Sequence, residues 1–205
     1  MAVGGQLITL QTLGGTYTEI FLPLHGEFQA HNALLALTAT EVLLTGGRAL
    51  DPGVVEVAFA DVDSPGRLEV VRSSPTIIVD GAHNPAGVEA LVDAIEEAFE
   101  FHRLVGIVGV MADKDPEGML SLLEPVLAEI VITRASNSRA LEVEDLAEVA
   151  IDIFGEDRVH VAERLNDALD LAVARAESEV ERGSGVLVTG SILLVAEARR
   201  LLGRP

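Results

Sequence analysis

The residues best suited to chemistry follow the ends of short apolar runs. The segment DGAHNP, residues 80–85, comes directly after the run TIIV. Asn84 can cap a following helix, Pro85 suits its first turn, and the free N–H groups there favour a carboxylate or a phosphate. Asp80 can accept hydrogen bonds from ribose hydroxyls, and His83 can donate one to an anion. A tight turn, stabilised by Asp80 and Asn84 and with a solvated His83, explains the same residues without a ligand.

Three further segments follow apolar runs in the same way. MADK, residues 111–114, follows GIVGV, and residues 134–139 follow IVIT. Gly190 and Ser191 follow VLVT and open the last predicted helix. Taken alone, Ser191 is typical of an N-cap. Lys114 is the only lysine, and the sequence assigns no role to it.

Several motifs of known mechanism are absent from the sequence. There is no G-x-x-x-x-G-K-[ST], so the pattern does not predict P-loop binding of ATP phosphates. There is no G-x-G-x-x-G for a dinucleotide and no G-x-S-x-G of an α/β-hydrolase. The histidines lack metal-ligand spacing, and no H-E-x-x-H occurs. The sequence therefore predicts no metal site among these residues.

The elements that must position these segments begin with a hairpin. Residues 7–12 and 16–22 are strand-like and are joined through Gly14-Gly15, and helical patterns follow at 28–44 and 51–60. The polar segment DVDSPG, residues 61–66, marks a predicted boundary between residues 1–63 and residues 64–205. From Arg67 onward, predicted strands alternate with predicted helices at 86–101, 116–127, 142–154, 164–181 and 192–202. This order predicts an α/β, Rossmann-like fold with a mostly parallel sheet and helices on both faces.

The composition limits the choice of partners. Thirty-three acidic residues against fourteen basic ones give a net charge of −19, and there is no cysteine. This charge disfavours nucleic acid and anionic membranes as partners. No apolar run is long enough to span a bilayer, and MAVGGQLITLQTLGG lacks the regions of a signal peptide, so we expect a cytoplasmic protein. Dispersed acidic residues with one lysine favour a salt-rich, halophile-like cytoplasm, although an acidic mesophile protein fits as well.

Five segments, in this order along the chain, resemble the folylpolyglutamate synthase/dihydrofolate synthase family of the Mur ligase superfamily. They are GEFQAHNALLAL (26–37), SPGRLEV (64–70), IIVDGAHNP (77–85), GVMADKD (109–115) and TGSILLVAEARRLL (189–202). The resemblance implies that residues 1–63 are the tail of a central ATPase domain, contributing the hairpin and the first helices. It implies that residues 64–205 are a carboxy-terminal Mur-ligase-type domain.

The resemblance also implies an activity in folate biosynthesis and one-carbon metabolism. Such a ligase uses ATP to join L-glutamate to the carboxylate of dihydropteroate or a folate through an acyl phosphate. By this resemblance Asn32 contacts the adenine, Arg67 the phosphate region and Asp80 the ribose. His83 is catalytic, and His83 and Ser191 hold the glutamate. The Walker loop and most Mg²⁺ ligands are expected on an amino-terminal ATPase half, so we expect this chain alone to be inactive.

Two alternatives remain open at this stage. One is another Mur-type amino-acid ligase with a different acceptor. The other is a non-catalytic nucleotide- or acid-binding module of the same fold. A Walker loop in an upstream coding segment would favour a ligase, whereas the pterin acceptor itself is not determined by these residues.

The charge balance leads to a first prediction. We expect the midpoint of thermal unfolding to rise with KCl well into the molar range, because the Debye length falls from about 10 Å at 0.1 M to about 3 Å at 1 M and self-repulsion is screened. Thermal melts across a KCl series measure this. A midpoint that stops changing above about 0.2 M would contradict salt adaptation.

Overall fold

The computed structural model describes residues 4–178 and 183–204. The chain divides into two compact units, Met1–Pro65 and Gly66–Pro205. Within the described residues, no helix combines the length and apolar character that a membrane crossing requires.

The first unit is a hairpin packed with two helices. Strands β1 (Gln6–Gln11) and β2 (Thr16–Leu22) pair antiparallel, as predicted, and are followed by α1 (Glu27–Thr45) and α2 (Pro52–Ala60). Asp51 begins α2, since its carboxylate accepts hydrogen bonds from the N–H groups of Gly53 and Val54. The core of the unit is aliphatic apart from one tyrosine and consists of Leu10, Tyr17, Ile20, Leu22, Ala33, Leu37 and Val55.

A buried polar contact fixes α1 against the hairpin. The Tyr17 hydroxyl donates to Glu41 Oε1 at 2.6 Å and accepts from the Leu50 N–H at 2.8 Å. The Gly14 N–H donates to the other oxygen of Glu41 at 3.3 Å. The hydrogen bond from Tyr17 holds the pKa of Glu41 below its usual range against the opposing effect of burial. Glu41 is therefore held by neutral donors, and no cationic side chain within residues 4–178 and 183–204 pairs with it.

The second unit contains a six-stranded sheet in the order β3-β4-β8-β5-β6-β7. Every pairing is parallel except that of β3 with β4, which confirms the predicted Rossmann-like α/β fold. The strands are β3 (Glu69–Ser73), β4 (Thr76–Val79), β5 (Arg103–Val108), β6 (Glu129–Ile132), β7 (Val159–Val161) and β8 (Ser184–Thr189). The helices are α3 (Pro85–Ala98), α4 (Pro116–Leu123), α5 (Val143–Phe154), α6 (Leu165–Ala176) and α7 (Ile192–Leu201).

The sheet is buried on both faces, as parallel sheets usually are. Alternate strand residues such as Ile77, Val105 and Val186 share one core with α6 and α7. Their neighbours of opposite parity, among them Ile78 and Leu187, are also 0% exposed. Covering both faces leaves the strand ends as the accessible edges of the sheet, and the carboxyl ends of β4 to β8 all lie at one of these edges.

The structure departs from the predicted elements at a few places. Helix α3 ends at Ala98 rather than at residue 101, and the rings of Phe99 and Phe101 stack with centroids 5.4 Å apart. Strand β8 begins at Ser184, two residues before the apolar run VLVT. The helix predicted for 164–181 ends at Ala176 as α6, and residues 179–182 lie outside the described part of the chain.

Candidate functional site

Asp80 holds together the loops around the end of β4. Its backbone N–H donates to the Val188 carbonyl at 3.0 Å. One carboxylate oxygen accepts from the Leu68 N–H at 2.8 Å, and the other accepts from the Ala82 N–H at 2.7 Å. The side chain is 4% exposed. The carboxylate thus joins the segment before β3 to the segment after β4.

The loop before β3, which Asp80 binds through the Leu68 N–H, has an unusual backbone. Gly66 has φ of 71° and Leu68 has φ of 47°, a left-handed value that costs a branched residue energy. Leu68 offsets this cost by burying its side chain to 2% exposure and by donating to Asp80. The Gly81 N–H donates to the Gly66 carbonyl at 2.9 Å. Arg67, between Gly66 and Leu68 in the sequence, is exposed and forms no ion pair with any described residue.

A second contact ties the same loop to α7. The Gly66 N–H donates to Glu69 Oε2 at 2.7 Å, and that oxygen also accepts from Arg199 Nε at 2.8 Å. Glu69 and Arg199 are separated by 130 residues in sequence. Nothing local in the sequence marks either residue as the partner of the other, so the pair could not be predicted.

Burial raises the pKa of Asp80 above its ordinary value of 3.8. The two backbone N–H donors and the nearby charge of Arg67 act in the opposite direction and only partly offset desolvation. Two backbone N–H groups, of Leu68 and Ala82, hold the carboxylate in place.

His83 and Asn84 lie at the start of α3, as the sequence predicted. Asn84 caps the helix by accepting from the Gly87 N–H at 2.8 Å, and Pro85 occupies the first turn. His83 is half-buried, and its Nδ1 lies 2.9 Å from the Gly81 carbonyl oxygen. Because that oxygen can only accept, Nδ1 carries the proton and Nε2 of the neutral ring keeps its lone pair.

The loop after β8 joins this cluster. The Gly190 N–H donates to the Ala82 carbonyl at 3.1 Å, and Ser191 caps α7 by accepting from the Leu193 N–H at 3.2 Å. Ser191 is 3% exposed. Backbone hydrogen bonds from Gly81 to Gly66 and from Gly190 to Ala82 therefore join three loops. These loops carry the predicted site residues Arg67, Asp80, His83 and Ser191.

Asn32 belongs to the first unit. It lies on the exposed side of α1, where its Nδ2 donates to Gln29 Oε1 at 3.3 Å. Lys114, which has no assigned role, pairs with the adjacent Asp113 at 2.9 Å. Among the described residues, no group of three or more histidine, aspartate or glutamate side chains is arranged to hold a metal ion.

Comparison with known proteins connects this arrangement to one group of enzymes. The family "Mur ligase, glutamate ligase domain" matches residues 66–192. The chain is 48% identical, over its whole length, to the dihydrofolate synthase/folylpolyglutamate synthase of Mycobacterium tuberculosis, of which it covers 44%. A solved structure of the folylpolyglutamate synthase of that organism, complexed with ADP and AMPPCP, is 49% identical and superposes with a TM-score of 0.95, covering all of this chain and 46% of the other.

A more distant structure is similar over the same part. Escherichia coli FolC in complex with DHPP and ADP is 26% identical, with a TM-score of 0.74 over 92% of this chain and 42% of that one. The chain thus spans about half the length of the relatives it matches.

The Asp80 contacts lead to a second prediction. We expect Asp80→Asn to lower the free energy of unfolding by about 1 to 3 kcal/mol, because an amide can accept from only one of the two buried N–H groups. Hydrogen exchange of the Leu68 and Ala82 amides, with urea unfolding, measures this. One of the two amides should lose protection. Unchanged protection of both would show that the carboxylate does not hold the loop.

The pH dependence of the same variant has a definite sign. A carboxyl whose folded pKa is raised contributes stability that is complete below pH 3.8 and is lost as pH rises through the folded pKa. The Asp80→Asn variant lacks this component, so the stability difference between the two proteins should narrow as pH rises from about 4. Ser191→Ala, which removes a helix cap but no ionisable group, is the control and should show a constant difference.

Proposed function

The chain belongs to the folylpolyglutamate synthase/dihydrofolate synthase family of Mur ligases, and we propose that it is the carboxy-terminal part of an ATP-dependent enzyme that joins L-glutamate to the carboxylate of a pterin or folate. The observation that carries this proposal is 48% identity across the whole chain to an enzyme of that name. Because the chain covers 44% of that enzyme, the complete activity needs residues beyond these 205. A cytoplasmic location is part of the same proposal.

We propose that residues 1–63 are the tail of a larger ATPase domain. The buried residues of α1 form a single narrow stripe, namely Gln29, Ala33, Leu37 and Glu41. Leu35, Val42 and Leu43 of the same helix are 57%, 55% and 83% exposed. A helix that is apolar on most of its sides is normally enclosed. The exposed face of α1 is thus suited to pack against the rest of that domain.

The nucleotide side of the proposed site in the second unit uses Arg67 and Asp80, and a contact of Asn32 in the first unit with the adenine stays a separate prediction. An exposed guanidinium without a carboxylate partner among the described residues suits the phosphates of ATP. The carboxylate of Asp80 already accepts two backbone N–H groups, so its first effect is to position the loop that carries Arg67. Its remaining lone pairs are the ones available to a ribose hydroxyl. Asn32 offers an exposed amide to the adenine.

The amino-acid side uses His83 and Ser191. In the proposed reaction the γ-phosphoryl group of ATP is transferred to the pterin-linked carboxylate and ADP is released. The amine of glutamate then attacks the acyl carbon and displaces inorganic phosphate. The amine must lose a proton, and Nε2 of neutral His83 can accept it because Nδ1 is held by Gly81. The Ser191 hydroxyl accepts from Leu193, so its own proton is available to a glutamate carboxylate. Both residues lie at helix N-termini, which favour negative charge.

Magnesium is proposed to bind on the amino-terminal half of the complete enzyme. The described residues here offer no cluster of the carboxylates that Mg²⁺ binds alongside phosphate oxygens. No catalytic step is therefore assigned to a metal in this chain.

A third prediction tests the two sides of the site separately. In a protein joining this chain to the amino-terminal half of such a ligase, Arg67→Ala should lower the ATP-dependent rate about 10- to 100-fold, the effect of losing one charge-assisted contact. His83→Ala should chiefly raise the glutamate concentration needed for half-maximal rate. Steady-state kinetics with dihydropteroate, ATP and glutamate measure both.

Matched measurements separate a site role from a folding role. Arg72→Ala removes another exposed arginine and should leave both kinetic parameters unchanged. Melting curves of the two site variants should match the parent protein, since both residues lie on loops at the sheet edge. Early melting with normal turnover would refute the assignment of both residues.

A fourth prediction concerns the chain by itself. The 205 residues contain no P-loop, so purified chain with dihydropteroate, glutamate and Mg-ATP should release no ADP above the buffer rate. The joined protein is the positive control. Sustained ADP release by the chain alone would contradict the proposed division of the enzyme.

A further inference from the structure

An arginine-lined pocket opens at the carboxyl edge of the sheet, away from the DGAHNP loop. Its volume is about 750 Å³, which lies in the range of small-molecule sites. The walls come from the loops after β6 and β7, the start of α6 and the second half of α7. The polar and charged residues of the lining include Arg134, Ser136, Arg164, Asn166, Glu197 and Arg200.

The pocket is lined by three arginines and two glutamates, so its lining is slightly positive in a strongly acidic chain. Three of its lining residues are arginines, whereas the protein carries a net charge of −19. Arg134 pairs with Glu142, outside the pocket lining. Arg164 and Arg200 are exposed and form no ion pair with any residue in the described ranges. Arg200 Nε donates to the Ala196 carbonyl at 3.4 Å, which leaves the terminal N–H groups of both guanidinium groups available to an anionic ligand.

The backbone adds to this charge. Arg164 is the N-cap residue of α6 and makes no side-chain capping hydrogen bond. The first N–H groups of this twelve-residue helix, at Leu165 and Asn166, belong to residues that line the pocket. The opposite wall is fixed, since Glu197 accepts from the Ser136 N–H at 2.9 Å and from its hydroxyl at 3.2 Å. N–H groups of a helix's first turn and guanidinium groups without a carboxylate partner suit the same kind of ligand.

The remaining lining residues restrict the ligand further. None of those described is aromatic, so the pocket lacks an aromatic ring on which a nucleobase or a pterin could stack. Glu163 adds an exposed carboxylate that can accept from an ammonium group. We propose that this pocket is a second anion site, which binds a small ligand carrying two or more carboxylates.

The pocket is distinct from the site around Asp80. In the strand order β4-β8-β5-β6-β7, the loops after β4 and β6 are separated by three strand spacings, about 14 Å. The choice of ligand rests on the proposed function, in which two molecules fit this chemistry. They are free L-glutamate and the glutamyl tail of a folate, and both carry closely spaced carboxylates.

A binding experiment on the whole chain distinguishes these sources. Amide chemical shifts of the ¹⁵N-labelled protein are followed during titrations with L-glutamate, tri-γ-L-glutamate and inorganic phosphate. We expect saturable shifts at Ser136, Leu165 and Asn166 with at least one carboxylate ligand. The double variant Arg164→Gln/Arg200→Gln should raise the half-saturating concentration about tenfold. The control variant Arg72→Gln changes the net charge by half as much and should leave binding unchanged.

Each outcome supports or overturns the proposal. Tighter binding of triglutamate identifies the tail as the source, and equal or tighter binding of glutamate identifies the free amino acid. Phosphate binding more tightly than both, shifts confined to residues 80–85 and 190–191, or no saturation up to about 10 mM would overturn it. The assay contains no ATP and needs no turnover, so failure of the proposed ligase activity would leave these shifts unchanged.

Discussion

The carboxylate of Asp80 is the contact on which the candidate site depends. It lies at the end of a buried strand and accepts one N–H group from each of two separate loops. Burying a carboxylate is costly, and the cost is visible as its raised pKa. The buried carboxylate in turn positions the loop. It keeps the backbone of Leu68 left-handed and Gly66 within hydrogen-bond distance of Gly81. Arg67 has its place on the edge of the sheet because of this arrangement.

The general architecture could be predicted from the sequence, because apolar runs alternate regularly with helical patterns along residues 67–202. The antiparallel pairing of β3 with β4 was not predicted, although the short connection between the two strands requires it. Only Ser74 and Pro75 separate β3 from β4, and a parallel crossover needs a dozen or more residues. The end of α3 was misjudged because the aromatic residues Phe99 and Phe101 fit a helical as well as an extended pattern.

The candidate site could be predicted only in part. The caps at Asn84 and Ser191 have local signals, and the structure shows both. The contacts of Asp80 with Leu68, and of Glu69 with Arg199, join residues that only the fold brings together. Arg164 and Arg200 are similarly separated in sequence, so no spacing rule marks them as two walls of one pocket. The nucleotide and glutamate roles of Asn32, Arg67, Asp80, His83 and Ser191 stay predictions.

The Tyr17–Glu41 contact has a spectroscopic consequence. Tyr17 is the only tyrosine of the chain, and there is no tryptophan. Its phenol is buried between Glu41 and Leu50, entirely within the first unit. Absorbance and emission excited near the tyrosine band therefore report on the hairpin and α1 alone. The second unit, which carries the arginine pocket, has phenylalanine as its only aromatic residue type. Its unfolding is therefore silent in that signal while the first unit remains intact.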